Sequence, residues 1–397
     1  MDIKRSVTIL LPDDADLRAT VAAFQRVQQD LTATAYNDGK PLGALALHHA
    51  MYALVVGTLN SQMTCSAIRL TAGAYASAKS NHRPLQHPFL FKRARALFLV
   101  GKRGRDADFR ADGVLSIWTV AGRKRITYVV PDAFKTTLAN AKEIDSLTVI
   151  ERAGRLLGRV TLTLDAPEPQ GVLPVGIDLN ETNALVAVNP DGETLFVSGK
   201  AVKVANARSF KTRKRLQRKL ATRKAERQDT HSVRRTLKRL GRKRSNRTRT
   251  FAQTAAKQLV QWAPAHAVLV FEALNIPQPK RGKIGGTSTR RRLSQWQRGL
   301  IRTAAESKAQ EVGMVVAEVN PAYTSQNCSR CGLRGIRKRH SFTCPSCGHT
   351  QHADINAAVN IRNRYTAFRS SGQPVSLPRS PDSSELRASP RLQAWSY

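Results

Sequence analysis

Acidic residues are scarce in this chain: 28 Asp and Glu stand against 65 Lys and Arg, a formal net charge of +37. Charge of one sign on that scale repels itself in a folded state and calls for a polyanion, nucleic acid first and an anionic membrane second. Long apolar runs are also missing. No stretch approaches the roughly 18 residues of a membrane-spanning helix, and the opening Met1-Asp-Ile-Lys-Arg carries no secretory pattern. The expectation is therefore a protein without a membrane partner, in a reducing cytoplasm. Cysteine is rare, 5 in all, and Cys65 has no evident partner, which speaks against a disulfide scaffold. Aromatics make up only 6%. Trp118, Tyr128, Trp296 and Tyr323 could each stack on a base, but such residues are more often core, and none is assigned that role.

The cysteine that is present is concentrated. Four of the five fall within 20 residues, as Cys328-x2-Cys331, a gap of 12 residues, and Cys344-x2-Cys347. Each pair makes a knuckle that aims two thiolates at one point, and two knuckles close a tetrahedron around Zn2+. Four sulfurs leave no open coordination position, so this zinc is structural and the chemistry must lie elsewhere. Arg334, Arg337, Lys338, Arg339 and His340 lie between the knuckles, which marks this ribbon as a surface for a nucleic-acid backbone. His349 and His352 are read as plain surface histidines, because the thiolates already complete the shell.

Composition divides the chain into two halves. Residues 1–12 read as an opening strand, and residues 14–80 show helical spacing in Leu17, Val21, Phe24, Val27 and Leu31. From about Gly113 to Leu164 short β segments alternate with basic turns, a pattern that predicts a small barrel with a helical insertion. Asp165-Ala-Pro-Glu-Pro-Gln-Gly links this half to the next. A β-meander then carries Asp178 in an otherwise apolar strand. Between Lys200 and Phe251, 21 of 52 residues are Lys or Arg, and only Glu226 and Asp229 are acidic. Leu216, Leu220, Val233, Leu237 and Leu240 keep a partial helical period, which predicts a basic helical hairpin turning near Gln228 to Ser232. So one-signed a run is costly unless phosphates neutralise it. A buried strand ending in Glu272 follows, then a basic loop with Lys280 and Arg290 to Arg292. A helix from Leu293 to Val312 and the strand Val315-Val-Ala-Glu-Val come next. Beyond about Arg369 the Ser-, Pro- and Arg-rich tail is expected to be disordered.

Three carboxylates stand out: Asp178 within a strand, Glu272 at a strand end, and Asp354 at a helix start. Each alone has a dull explanation; an Asp at a helix N-terminus is favoured by the helix dipole. Together, on a strand–strand–helix frame, they are what an RNase H-like fold needs to hold two divalent cations about 4 Å apart for phosphodiester hydrolysis. Oxygen ligands suit Mg2+ or Mn2+ and thiolates suit Zn2+, so the two metal sites should not compete.

Gly176-Ile-Asp-Leu-Asn, Phe271-Glu-Ala-Leu-Asn-Ile, Thr324-Ser-Gln-Asn-Cys-Ser-Arg-Cys-Gly and Asp354-Ile-Asn-Ala-Ala-Val-Asn-Ile resemble the successive RuvC and zinc-ribbon motifs of the transposon-encoded TnpB family and of its descendants, the compact type V CRISPR effectors. The likeness covers roughly residues 172–366. It implies a multidomain α/β protein: an RNase H-like (RuvC) nuclease core with an inserted basic hairpin and a four-cysteine zinc ribbon, preceded by a β-barrel wedge domain with a helical recognition insertion. The implied boundaries are a wedge barrel of 1–12 and 100–168, a recognition lobe of 13–99 and a core of 172–322 with its basic insertion at 203–262. The ribbon is then 323–350, the last core helix 351–367 and the tail 368–397.

By the same resemblance Asp178, Glu272 and Asp354 are the catalytic, magnesium-holding triad, and the partners are a guide RNA and target DNA in a prokaryotic cytoplasm. The expected nucleic-acid contacts are Arg213, Lys214, Arg215 and Arg218 on the first arm of the hairpin, and Arg234, Arg235, Lys238, Arg239, Arg242, Lys243 and Arg244 on the second. Arg290, Arg291 and Arg292 of the loop and Arg337, Lys338 and Arg339 of the ribbon complete the set. Many relatives carry an acidic or basic pair before the third Asp, where this chain has His352-Ala353. The implied activity is RNA-guided cleavage of DNA at a single RuvC site; the alternative is guided DNA binding without cleavage, as a repressor. Transposon or CRISPR context, and monomer or homodimer, stay open at this point.

Overall fold

The computed structural model describes residues 2–101, 105–110, 113–273 and 298–370. These form two compact units that divide after Asp165.

The first unit begins with strand β1 (Asp2–Leu10), followed by helices α1 (Ala15–Tyr36), α2 (Ala44–Val55) and α3 (Ser61–Ser80). Asp14 caps α1 by accepting the Leu17 N–H at 2.8 Å, a contribution of about 1 kcal/mol. Leu17, Val21, Phe24, Val27 and Leu31 form the buried stripe of α1, as their spacing predicts. Strands β2 (Arg95–Leu99), β3 (Ala107–Phe109), β4 (Val114–Thr119) and β5 (Gly122–Thr127) come next, then α4 (Asp132–Ala139), β6 (Glu143–Arg152) and β7 (Arg155–Asp165). The helical stretch thus ends at Ser80, and β2 lies inside the span that the sequence reading gives to helices. Its five residues bury only Ala96 and Phe98, too short an alternation to read from sequence. The strands form two sheets, β1-β7-β6-β2 and β3-β4-β5. Single bridges, Leu10 to Val129 and Val100 to Ala107, join the sheets at both edges, so backbone pairing runs right round the set.

The second unit centres on one five-stranded sheet. β8 (Leu173–Asp178), β9 (Asn183–Val188) and β10 (Thr194–Ser198) make an antiparallel meander. The hairpin α5 (Lys200–Ala225) and α6 (His231–Trp262) follows, then β11 (Ala267–Glu272), α7 (Arg298–Glu311) and β12 (Val315–Val319). The strand order is β10-β9-β8-β11-β12, with β11 parallel to both β8 and β12. The crossover through α7 is the connection that two adjacent parallel strands require. The hairpin turns at 226–230, close to the expected place. Its burial is confined to its base, at Val202, Asn206 and Ser209 on α5 and Ala252, Ala255, Ala256 and Leu259 on α6; of the rest only Val233 is buried.

A small ribbon of β13 (Ile336–Lys338), β14 (Ser341–Thr343) and β15 (Thr350–His352) leads into the last helix, α8 (Ala353–Ser370). The sheet is a middle layer. Val175, Ile177, Leu269 and Phe271 pack with α6 and α7 residues such as Leu259 and Ile301, whereas Val268, Val270, Ala317 and Val319 pack with Ile361 and Tyr365 of α8. Alternation along each strand sends odd and even residues of β11 to opposite layers. No helix among the described residues is long and apolar enough to cross a membrane. The loop with Lys280 and Arg290 to Arg292, Trp296, and the tail beyond Ser370 lie outside the described residues.

Candidate active site and metal centres

Two of the three carboxylates are brought level by strand pairing alone. Gly176 of β8 pairs with Val270 of β11 in parallel register, so Asp178 and Glu272, each two residues on, end neighbouring strands on the same face. That face carries α8. A Cβ at Gly176 would overlap the carbonyl oxygen of Ala358 and stand 2.8 Å from Cβ of Arg362, so only glycine lets the helix lie this close to the strand. Asp354 is one turn before Ala358 on the same stripe of α8. The close approach therefore delivers Asp354 to Asp178.

The environment of each carboxylate differs. Asp178 is buried, and its pKa is pushed up to about 7, first by desolvation and then by the charges of Asp354 and Glu272. Asn180 and Arg337 offset this in part; Asn180 Nδ2 donates to Asp178 Oδ2 at 3.3 Å. Glu272 is also raised, by burial, against the opposing pull of a hydrogen bond from Thr324 and the charges of Arg298 and Arg364. Asp354 is only 1% exposed, with one contact on each oxygen. Its Oδ1 takes Arg337 Nη2 at 2.7 Å, and its Oδ2 accepts from Asn183 Nδ2 at 2.8 Å. Asp178 and Asp354 are buried and Glu272 is half-buried; Arg337 stands beside Asp354, and the charges of Arg298 and Arg364 act on Glu272. An all-oxygen donor set is of the kind that suits hard divalent cations such as Mg2+.

The four thiolates fit zinc. Their ligand atoms lie within 4.8 Å of one another, with Cys328 Sγ to Cys347 Sγ at 3.7 Å and Cys331 Sγ to Cys344 Sγ at 3.5 Å. Bonds of about 2.3 Å at tetrahedral angles place sulfurs roughly 3.8 Å apart. Each knuckle closes on a left-handed glycine: Gly332 (φ 76) donates its N–H to Cys328 O at 2.9 Å, and Gly348 (φ 70) donates to Cys344 O at 3.0 Å. The ribbon's own core is little more than Phe342, whose ring lies where a Cβ on Gly335 would project.

Several residues without a role in the sequence reading connect the two centres. Asn356 Nδ2 donates to Asn327 O at 2.8 Å while its Oδ1 accepts the Ser329 N–H at 2.9 Å. One turn on, Asn360 Nδ2 donates to Thr324 O at 2.8 Å and to Asn327 O at 2.7 Å. The two asparagines of Asp354-Ile-Asn-Ala-Ala-Val-Asn thus tie the first knuckle to the helix that presents Asp354. Asn180 is the hinge of the β8–β9 turn, its Oδ1 accepting the N–H groups of Thr182 and Asn183 at 2.9 Å each. The only sequence signal for these residues is their place inside the quoted motifs.

The basic residues divide into three groups. Lys214, Arg215, Arg218, Arg234, Arg235, Lys238, Arg239, Arg242 and Lys243 are exposed along the hairpin. Arg213 and Arg244 are half-buried and close, and Arg244 is held below the ordinary guanidinium value by burial and then by Arg213. In the ribbon Arg337, Lys338 and Arg339 are all exposed, and Arg337 also pairs with Asp354. His352 is not a plain surface histidine. It is half-buried, with Nδ1 3.9 Å from Asp354 Oδ2.

Residues 158–282 match the family model described as "Probable transposase", and residues 299–361 the one described as "Cas12f1-like, TNB domain". The TnpB-like protein aq_aa05 of Aquifex aeolicus is 30% identical over 144 residues, 34% of this chain and 46% of that protein. The CRISPR-associated endodeoxyribonuclease Cas12f1 of Sulfoacidibacillus thermotolerans is 46% identical over 57 residues, 14% of either chain. The chain spans less than half the length of these curated relatives. In three dimensions it is similar to the protein of a Cas12f1–sgRNA–target DNA complex, with a TM-score of 0.54 at 15% identity over 88% of this chain and 81% of that one. At that identity the likeness speaks for the fold alone. Over the matched segments this chain is similar to TnpB-like and Cas12f1 proteins, and its fold is similar to that of the Cas12f1 complex protein.

Proposed function

We propose that this chain is an RNA-guided DNA endonuclease whose second unit is an RNase H-like, RuvC-type core. The observation that carries the reading is the convergence of Asp178, Glu272 and Asp354 from β8, β11 and α8 onto one face of the sheet. The sheet order, with three antiparallel strands followed by two parallel ones, supports it. Bound there, Mg2+ or Mn2+ would activate a water and stabilise the leaving oxygen of a phosphodiester. Asp178, Glu272 and Asp354 hold that charge; Asn180 and Thr324 fix the first two carboxylates, and Asn183 the third. Arg337 sets a guanidinium beside the carboxylates, where a backbone phosphate must lie to react.

The zinc ribbon orients Asp354 through Asn356 and Asn360 and takes no chemical part. The exposed arginines and lysines of the hairpin neutralise phosphates of a guide–target heteroduplex, while base pairing supplies the sequence specificity. The first unit is a wedge-like barrel with a helical recognition lobe, a reading supported by its circular strand pairing and its inserted α1–α3.

The test uses the protein co-expressed with its own RNA, Mg2+ and matching DNA, wild type beside Asp178→Ala. Cleavage by wild type and its loss in the variant are expected. Binding without cleavage by wild type would favour a guided repressor. Absence of co-purifying RNA would overturn guidance, and cleavage unaffected by Asp178→Ala would overturn the active site.

A further inference from the structure

Beside the carboxylates stands a second group of metal-ligating side chains with different chemistry. His340 precedes β14 in a turn where Arg339 is left-handed (φ 55), and His352 ends β15. Ladder pairing places Ser341 opposite His352, and the Ala353 N–H donates to His340 O at 2.7 Å, which sets the two histidines side by side. Their rings stack with centroids 5.5 Å apart and planes 20° apart. Phe196 from β10 packs edge-on to His352 at 5.2 Å and holds its ring in place.

His352 Nδ1 accepts the Asp354 backbone N–H at 3.2 Å, a long bond that a cation taking the same lone pair would replace. The same atom is 3.9 Å from Asp354 Oδ2, too far for a hydrogen bond. Two metal bonds of about 2.0–2.1 Å span such a gap at an open angle. One ligand atom each from His340, His352 and Asp354 fall within 4.8 Å of one another. The other polar contacts of the carboxylate are Asn183 on Oδ2 at 2.8 Å and Arg337 on Oδ1 at 2.7 Å, which leave the side of Oδ2 toward His352 for a cation.

We propose that His340, His352 and Asp354 form a binding site for a divalent transition-metal ion such as Zn2+, Ni2+ or Co2+. Two imidazoles and one carboxylate suit those ions and disfavour Mg2+, which takes oxygen ligands. The site stands on side-chain geometry and does not depend on the nuclease reading. If that reading holds, the shared Asp354 makes an ion here compete with Mg2+ for the third carboxylate.

The experiment titrates Co2+ into the full-length protein with its ribbon zinc loaded, read by d–d absorption and by stoichiometry. Wild type is expected to take up Co2+ with no sulfur-to-cobalt charge-transfer band. His340→Ala/His352→Ala should weaken that uptake by about tenfold or more, and His340→Asn, at an exposed position, should weaken it without disturbing the ribbon. Asp178→Asn should leave it nearly unchanged. Retained zinc in each variant reports that the ribbon is folded. Equal Co2+ binding in wild type and the double variant overturns the proposal. So does its loss in Asp178→Asn, which would put the ion among the carboxylates instead. Neither readout involves cleavage, so an inactive nuclease would leave the outcome unchanged.

Discussion

The thiolate cluster and the carboxylate cluster of the second unit are built on opposite plans. The thiolates come from 20 consecutive residues, and the two knuckles face each other with sulfurs 3.5 and 3.7 Å apart across the gap. The carboxylates come from positions 178, 272 and 354, and only a parallel strand register and a helix lying on a glycine bring them together. The first site is closed by its own ligands. The second buries Asp178 near the charges of Asp354 and Glu272, which pushes it to about 7. A site assembled locally needs little from the fold, whereas a site assembled from afar takes its geometry from the whole core.

The sharpest way to break this contrast is at the thiolates. Cys344→Ser should unfold the ribbon, since a structural zinc supplies on the order of 10 kcal/mol to its own module. The core should stay folded, giving lost zinc and a main thermal transition lowered only by the loss of the Asn356 and Asn360 contacts.

The carboxylates should respond to pH in the metal-free protein. Asp178 holds its proton to about 7 in the native state against an ordinary 3.8. The native state therefore binds more protons than the unfolded chain between those values, and stability falls as pH rises through that window. The span corresponds to roughly 4 kcal/mol. Asp178→Asn should flatten the profile, and a profile unchanged by that substitution in urea melts would deny the charge crowding.

Gly176→Ala comes next in size. It forces α8 off β8 at a cost of about 3 kcal/mol and displaces Asp354, so Tm and cleavage should fall together while zinc content holds. The smallest effect is expected from Asn356→Ala, about 1–2 kcal/mol from the lost bonds to Asn327 and Ser329. Because that link joins the two centres, cleavage should drop more than stability does. Equal losses would show that the centres are independent.

What could be read from the sequence follows the same division. The Cys-x2-Cys spacings, the stripe of α1 and the basic hairpin are local patterns, and the structure forms each where the spacing puts it. Strand β2 was hidden because five residues with two buried positions carry too little periodicity. At the candidate site the acids could be named from their motifs, but their supports could not. Thr324 lies 52 residues from Glu272, and Asn183 lies 171 from Asp354, so no spacing rule joins them. Arg337 reads as one more cation in a basic stretch until the fold sets its tip against the buried Asp354. The contact of His352 with Asp354 is hidden in the same way, since the completed thiolate shell says nothing about the neighbouring acid.

The Gly176 contact has a consequence for anyone who would evolve or redesign this protein. Its opposing atom is a main-chain oxygen of Ala358, which every amino acid carries. A crowding mutation at an ordinary core position can be rescued by trimming its neighbour, but here no substitution at 358 removes the obstacle. Position 176 thus has no second-site suppressor across the contact, and directed evolution of the chain should leave it as glycine while the surrounding side chains drift.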